Sequence, residues 1–169
     1  LTQATPQDLD LGPPFRTLCT NVLDARLAYL AALGPMAPLV GPPLTHPRRE
    51  IFSLPPLADI VAHLTSPTAL PIPLDPTHYQ GAVWAVPLWS ERGLIGVFLL
   101  GEKRSGGLYT QEEIEIARVS GERLIDTQAS SEMARRLMLV QRERLAQTQV
   151  IDQQTRRVLH DDLLPALQT

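Results

Sequence analysis

The C-terminal half of the chain has apolar residues at helical spacing and a long stretch without helix breakers. Residues 122–164 contain neither proline nor glycine and are rich in Glu, Gln, Arg, Leu and Ala. This pattern predicts one helix from about Gln111 to about Leu164. At about 1.5 Å per residue, the breaker-free part alone would be about 65 Å long, so we expect it to project from a compact domain. Thr110 and Glu113 have the spacing of a capping box at its start.

The same helix carries an apolar stripe that polar residues interrupt. The apolar positions are Leu137, Val140, Leu145, Ile151, Val158 and Leu159. Polar residues stand where a strict heptad would have leucine, namely at Gln141, Arg144, Thr148 and Thr155. Because an isolated helix with such a stripe needs a partner, we predict a parallel dimeric coiled coil with a loosely packed seam. A dimerisation rod without a signalling role is the alternative.

Prolines divide the N-terminal half into short elements. Helical spacing of apolar residues predicts one short helix over residues 14–24, with Cys19 on its inner face, and another over residues 55–64. Residues 42–47 and 67–76 are rich in proline and are predicted to be irregular. We expect a ligand pocket in this middle segment, because binding residues concentrate on loops that a rigid scaffold positions.

Two pairs of apolar runs have the spacing of β-hairpins. Residues 26–33 and 36–40 are separated by Gly34-Pro35, and residues 82–89 and 94–101 by a short polar turn. An antiparallel sheet with helices packed on it is an α+β fold, which is the predicted fold class.

Composition and charge narrow the class of protein. The 169 residues are 44% hydrophobic, enough for a folded core, and the net charge of −3 gives no basic surplus for nucleic acid or an anionic membrane. The longest apolar stretch, residues 82–101, is interrupted by polar residues, so no membrane span is predicted. The single cysteine, Cys19, can form neither an internal disulfide nor a zinc cluster, which favours a cytoplasmic location.

Four segments of the chain resemble a GAF domain, a fold that senses small molecules. They read Ala25-Arg26-Leu27-Ala28-Tyr29-Leu30, then Ala85-Val86-Pro87-Leu88 with Leu94-Ile95-Gly96-Val97-Phe98-Leu99-Leu100-Gly101, and finally Tyr109-Thr110-Gln111-Glu112-Glu113-Ile114-Glu115-Ile116-Ala117. GAF domains typically have a V-P-L … G-x-I-G-V-L hairpin, followed by F-T-x-E-D at the start of the final helix. The resemblance covers roughly residues 14–127 and implies a GAF-like antiparallel sheet flanked by helices, without indicating a ligand.

The end of the predicted helix resembles the phosphoacceptor box of two-component sensor histidine kinases. In the subfamily whose partners are NarL/LuxR-type response regulators, the core of this box is R-x-L-H-[DE], and here it reads Arg157-Val158-Leu159-His160-Asp161. The leucines and proline that follow fit the branch H-D-x-L-x-P-x-L. The predicted organisation is a GAF-like sensor domain at 1–127, a coiled-coil signalling helix at 128–150, and the start of a dimerisation and phosphoacceptor helix at 151–169.

This resemblance implies that His160 is the phosphoacceptor. A neutral imidazole is a good nucleophile near pH 7 when one ring nitrogen carries the proton and the other exposes its lone pair. By the resemblance, Asp161 accepts the Nδ1 proton and Nε2 attacks the γ-phosphate of ATP, with Mg²⁺ supplied elsewhere. Arg156 and Arg157 are spaced to offset the charge of a phosphorylated ring. The alternative is a solvated histidine on a charged helix face.

Other features limit what this chain is expected to do alone. It has no Gly-rich phosphate loop, so we expect ATP and Mg²⁺ to bind elsewhere in a full-length kinase and this chain to be a substrate only. Leu1 in place of Met, and an end at Thr169 before any second dimerisation helix, suggest an excised fragment. Pro165 stands where related kinases often have Gln or His to orient water, which argues against phosphatase activity by that route.

Candidates for a sensor pocket lie in or beside the irregular middle segment, and they are His46, His63, His78 and Trp84. Each is more often a surface or core residue than a ligand contact. Arg48 and Arg49 could receive an acidic ligand or form a solvated basic turn. No cysteine is placed for bilin attachment, and the Asn-Lys-x-Asp motif of cyclic-nucleotide-binding relatives is absent. A haem on one histidine and an empty pocket used for dimerisation stay open, and no other metal site is predicted.

Two functions from different classes fit this sequence. The first is a sensor and signal-transmission fragment of a cytosolic two-component histidine kinase. There, the GAF-like domain of a homodimer controls ATP-dependent phosphorylation of His160 and phosphotransfer to a NarL/LuxR-type response regulator. The second is a non-enzymatic GAF module for ligand binding or dimerisation, whose helix feeds another output such as a transcription factor or a cyclase.

Overall fold

The computed structural model describes residues 10–68 and 70–160 of the chain. Its α-helices are α1 (Gly12–Thr17), α2 (Ala37–Val40), α3 (Ala58–His63) and α4 (Gln111–Val158). Its strands are β1 (Ala28–Ala32), β2 (Leu44–His46), β3 (Ile72–Pro73), β4 (Ala82–Ser90) and β5 (Gly93–Gly101). A π-helical turn, Leu18–Val22, continues α1, and a 3₁₀ turn, Gly34–Met36, precedes α2. The predicted α+β fold class is confirmed.

The five strands form one antiparallel sheet in the order β2-β1-β5-β4-β3. The hairpin predicted over residues 82–101 is β4 and β5, in which Val86 lies opposite Phe98 and Ser90 opposite Gly93. Gly93 has a φ of +106°, a conformation that glycine adopts without steric cost. The other edge of β5 pairs with β1, so the hairpin joins the N-terminal strands in a single sheet.

Apolar side chains cover both faces of the sheet. On β1, Ala28 and Leu30 belong to one core cluster and Tyr29 and Ala31 to the other, as the alternation of a strand requires. The first face packs against α1, the π-helical turn and the N-terminal part of α4. The second face packs against α3 and the irregular segments beside it. Burial on both faces explains why β4 and β5 are nearly continuous apolar runs.

Two glycines allow α4 to approach the first face closely. A Cβ on Gly121 of α4 would lie 3.0 Å from Cδ2 of Phe98. A Cβ on Gly96 of β5 would lie 2.6 Å from the carbonyl oxygen of Ala31 and would also overlap the side chain of Ile125. The second glycine of the G-x-I-G-V segment is therefore a packing requirement of this fold.

The predicted capping box forms the start of α4. The backbone N–H of Glu113 donates to Oγ1 of Thr110 at 3.1 Å, and the backbone N–H of Thr110 donates to Oε2 of Glu113 at 2.9 Å. Lys103, which follows β5, donates to the other oxygen of the same carboxylate at 2.8 Å. This hydrogen bond is the main cause of the lowered pKa of Glu113. The first turn of α4 is thus bound to the end of the central strand.

The strand predicted at residues 36–40 is wrong, and each of the two segments predicted to be irregular contains one short strand. Residues 36–40 form the end of the 3₁₀ turn and α2 instead of a strand. Pro35 and Pro38 lie in the first turn of these helical segments, where a residue needs no backbone N–H. The antiparallel partner of β1 on this side is β2, which lies within residues 42–47, and β3 lies within residues 67–76.

The chain divides into two compact units between Glu132 and Met133. In the first unit, the sheet and its packed helices form the core, and Ala129 is the last core residue in sequence. In the second unit, the described residues are the remainder of α4 and the two residues after it, and all are exposed. No helix in the described part of the chain is long and apolar enough to cross a bilayer.

Candidate functional site

His160 is the last residue that the structure describes. The helix α4 ends at Val158, and residues 159–160 continue it as a wider, π-helical turn. His160 is exposed, as are Arg156 and Arg157 in the last turn of α4. Asp161 and Pro165 lie outside the described residues, so the predicted role of Asp161 as a base and the effect of Pro165 stay predictions.

The apolar stripe upstream of His160 is exposed in the single chain. Leu137 is 61% exposed, Leu145 64% and Ile151 61%. Val140, Val158 and Leu159 are each between 44% and 54% exposed. Apolar side chains left in water along one helix favour association with another apolar surface.

The hydroxyl groups of two threonines in the predicted seam are hydrogen-bonded within their own helix. Oγ1 of Thr148 donates to the carbonyl oxygen of Arg144 at 2.9 Å, and Oγ1 of Thr155 donates to that of Ile151 at 2.9 Å. A hydroxyl hydrogen-bonded within its own helix needs no partner across an interface. Threonine at these positions is therefore compatible with a packed but weak seam.

His63 and His78 have local structural roles. Nδ1 of His63 donates to the carbonyl oxygen of Asp59 at 2.6 Å, one turn earlier in α3. Nδ1 of His78 donates to a carboxylate oxygen of Asp75 at 2.8 Å. Hydrogen bonds from Thr77 and His78 lower the pKa of Asp75 to about 2, so this carboxylate stays ionised and holds the turn. Both histidines are exposed, and these bonds account for their positions.

His46, at the end of β2, has a different environment. It is 7% exposed, and its Nε2 has no hydrogen-bond partner among the described residues. Burial lowers the pKa of His46 from its usual 6.5, and the charges of Arg104 and Arg16 act in the same direction, so the ring is neutral near pH 7. The side chain lines a concavity of about 200 Å³ that we call the basic cavity. Its walls include Asp10, Arg16, Leu44, His46, Arg48 and Arg49.

Trp84, on β4, is partly buried and lines a separate concavity of about 320 Å³ beside Lys103 and Tyr109. Lys103 is paired with Glu113 at 2.8 Å, and the Tyr109 hydroxyl donates to the carbonyl oxygen of Gly101 at 2.7 Å. Because Lys103 and Tyr109 already have partners within the protein, neither is free to bind a polar ligand in this concavity.

The four pocket candidates do not converge on one site. His46 and Trp84 line different concavities, whereas His63 and His78 bond to their own neighbours in sequence. In the described ranges, no group of three or more His, Cys, Asp or Glu residues is arranged to hold a metal ion. Sequence reasoning missed Arg16, which the packing of α1 beside β2 brings to the basic cavity, and no local signal pointed to it.

Comparison of this chain with models of protein families, with curated proteins and with solved structures finds no match. Any assignment to a family therefore depends on the motifs quoted above and on the geometry of the described residues.

Proposed function

We propose that this chain is the sensor and signal-transmission part of a two-component histidine kinase, with His160 as the phosphoacceptor. The observation that carries the proposal is the position of His160. It is exposed at the end of a helix of 48 residues that begins on an α+β domain, within the sequence Arg157-Val158-Leu159-His160-Asp161. An acceptor must be reached by a nucleotide held in another domain, and an exposed ring permits that approach.

In the proposed reaction, the chain contributes the nucleophile and the groups that orient it. Asp161 accepts the Nδ1 proton of His160, which leaves the Nε2 lone pair to attack the γ-phosphorus of ATP in line. A bond forms between Nε2 and phosphorus, the bond from phosphorus to the bridging oxygen breaks, and ADP leaves. Arg156 and Arg157 offset the added negative charge. The phosphoryl group then passes to a response regulator, of NarL/LuxR type by the resemblance.

The proposal includes a homodimer formed through the second half of α4. The exposed stripe supports it, because burying Leu137, Ile151 and their neighbours against a second copy would remove apolar surface from water. The hydroxyl bonds of Thr148 and Thr155 support a seam that is only loosely packed. A weak seam suits a helix that transmits a change from a sensor domain, which by the GAF resemblance covers roughly residues 14–127.

The acceptor is tested in a protein that joins this chain to the ATP-binding domain of its kinase. We expect ATP labelled at the γ-phosphate to leave acid-labile, base-stable label on the parent and none on His160→Gln. His78→Gln is the matched control, because His78, like His160, is an exposed histidine, and it should label like the parent. Label that persists in His160→Gln would reject the assigned acceptor.

The role of Asp161 has a separate test in the same protein. Asp161→Asn keeps the size of the side chain but removes the carboxylate, so we expect phosphorylation to slow by about 100-fold or more, in the range typical of general-base contributions. An unchanged rate would refute the base role. An absence of acid-labile label in every variant, with dimerisation intact, would favour the non-enzymatic module.

A further inference from the structure

Two concavities adjoin each other on the face of the sheet that packs against α1 and α4. The basic cavity has been described above. The second, which we call the apolar cavity, has a volume of about 190 Å³ and is lined mainly by Leu30, Val40, Leu44, Leu124 and Ile125. The two cavities share Asp10, Pro42 and Leu44 in their walls, so they are direct neighbours. They lie on the face opposite α3, and residues 42–49 in the wall of the basic cavity belong to the middle segment, where a pocket is expected.

The basic cavity carries an excess of positive charge. Its walls include Arg16, Arg48 and Arg49, and within the described part of the chain none of these is paired with a carboxylate. One carboxylate is present, that of Asp10, and its Oδ1 accepts the backbone N–H of Gly12 at 2.9 Å. Among the described residues, three arginines and one aspartate line this cavity, and this excess of positive charge favours an anion.

His46 adds a buried polar group to the same wall. Its side chain is more than nine-tenths buried, at 7% exposure, and Nε2 has no partner in the described ranges. Buried polar atoms in folded proteins are usually hydrogen-bonded, and one that is left without a partner is unfavourable. Because Nε2 itself is closed off from solvent, the arginines and not this ring are the groups that a ligand's carboxylate would contact. Oγ1 of Thr45 is already used, since it accepts the backbone N–H of Arg49 at 2.9 Å and so fixes the turn that carries the two arginines.

We propose that the two neighbouring cavities together bind a small amphiphilic carboxylate, with the carboxylate at Arg16, Arg48 and Arg49 and an aliphatic chain in the apolar cavity. Guanidinium groups bind carboxylates with paired hydrogen bonds. A pocket lined by aliphatic side chains with a few convergent polar groups is typical of small-molecule sites. An inorganic anion would leave the apolar cavity empty, and a neutral alcohol would leave the three arginines without a counterion.

The site is tested by titrating the isotope-labelled chain with octanoate and following the backbone amide signals of Leu44 and Arg48 by NMR. We expect saturable shifts of both signals, and affinities for octanol and for inorganic phosphate that are each at least about tenfold weaker. An affinity for octanol equal to that for octanoate would show that the basic cavity does not bind the carboxylate. An affinity for phosphate equal to that for octanoate would show that the apolar cavity does not bind the aliphatic chain.

Variants locate the two halves. Arg48→Gln combined with Arg49→Gln should weaken octanoate binding at least about tenfold. Arg92 is an exposed arginine in the β4–β5 turn, and Arg92→Gln should change octanoate binding less than about twofold.

The apolar half has its own variant. Val40→Phe fills the apolar cavity and should also weaken octanoate binding, with the amide signals of β4 and β5 as the check on folding. Octanoate binding that is unaffected by the arginine pair would overturn the proposal. These measurements read binding and not phosphate transfer, so the inference is independent of the proposed function.

Discussion

At the scale of single residues, Gly96 decides how closely α4 can approach the sheet. In Gly96→Ala, the added methyl group would overlap the carbonyl oxygen of Ala31 and the side chain of Ile125. The carbonyl oxygen of Ala31 belongs to the backbone of a paired strand and cannot move away by a side-chain rotation. We therefore expect the free energy of unfolding to fall by about 1–3 kcal/mol, the usual cost of overpacking. Urea unfolding followed by circular dichroism measures this change.

Gly107→Ala is the matched control for that substitution. The nearest neighbour of its added Cβ would be Oγ of Ser105 at 3.9 Å, an ordinary contact, so we expect little change in the free energy of unfolding. If both variants were as stable as the parent, the close packing of α4 against β5 would be contradicted.

The buried thiol of Cys19 makes stability depend on pH in the alkaline range. Burial raises its pKa from 9.0 to about 12. Since the thiol ionises near pH 9 in the unfolded chain, its contribution to stability is complete below pH 9 and is lost as the pH rises toward 12. We expect Cys19→Ala to flatten the dependence of unfolding free energy on pH above 9. Burial also raises the pKa of Tyr109, which acts in the same direction, so the flattening should be partial.

Urea unfolding of both proteins at a series of pH values from 8 to 11 checks this prediction. Below pH 9 the two curves should run parallel, with a constant offset from the lost sulfur contacts. Curves that stay parallel over the whole range would show that the Cys19 thiol ionises equally in the folded and unfolded chains.

Residue-level predictions succeeded where helical spacing alone decided the outcome. The inward position of Cys19 follows from the spacing of apolar residues over 14–24, and its complete burial confirms it. The pocket candidates could not be grouped in this way. His46 is beside Arg16 only because β2 pairs with β1 and α1 packs over that edge, and such contacts between distant segments have no local signature.

At the scale of elements, the capping box fixes where α4 begins. Thr110→Ala removes the hydroxyl that accepts the backbone N–H of Glu113, so we expect the free energy of unfolding to fall by about 1 kcal/mol. Thr127→Ala, at an exposed position inside the same helix, is the control and should be neutral or slightly stabilising, because alanine is the better helix former. Urea unfolding compares the two variants, and equal effects would show that the hydroxyl of Thr110 does not cap the helix.

The elements that the sequence predicts correctly are those with a local chemical signal. The capping box and the β4–β5 hairpin each depend on residues close together in the chain. Residues 36–40 have no such signal, since a five-residue apolar run fits a strand or a helical turn equally well, and here Pro38 favours the helix. The short strands β2 and β3 exist through pairing with β1 and β4, which their proline-rich sequences do not reveal.

At the scale of the whole molecule, the two units differ in what stabilises them. The first unit has core clusters on both faces of a sheet. The described residues of the second unit are all exposed, and an isolated helix in water is marginally stable unless its apolar face is packed. In the proposed dimer, association would supply that packing, and its strength would depend on the seam positions that now hold threonine.

Replacing the seam threonines therefore tests the dimer directly. In Thr148→Leu combined with Thr155→Leu, each chain would bury two larger apolar side chains in the interface, and we expect the dissociation constant of the dimer to fall at least about tenfold. Gln149→Leu combined with Gln153→Leu adds the same number of leucines at positions that helical periodicity places outside the seam, and should change it less than about threefold. Sedimentation equilibrium measures both constants. If the two double variants strengthened association equally, added hydrophobicity alone would explain the result and the assigned seam would be wrong. A selective effect of the threonine pair would show that these positions face the partner helix and that threonine there keeps the association weak.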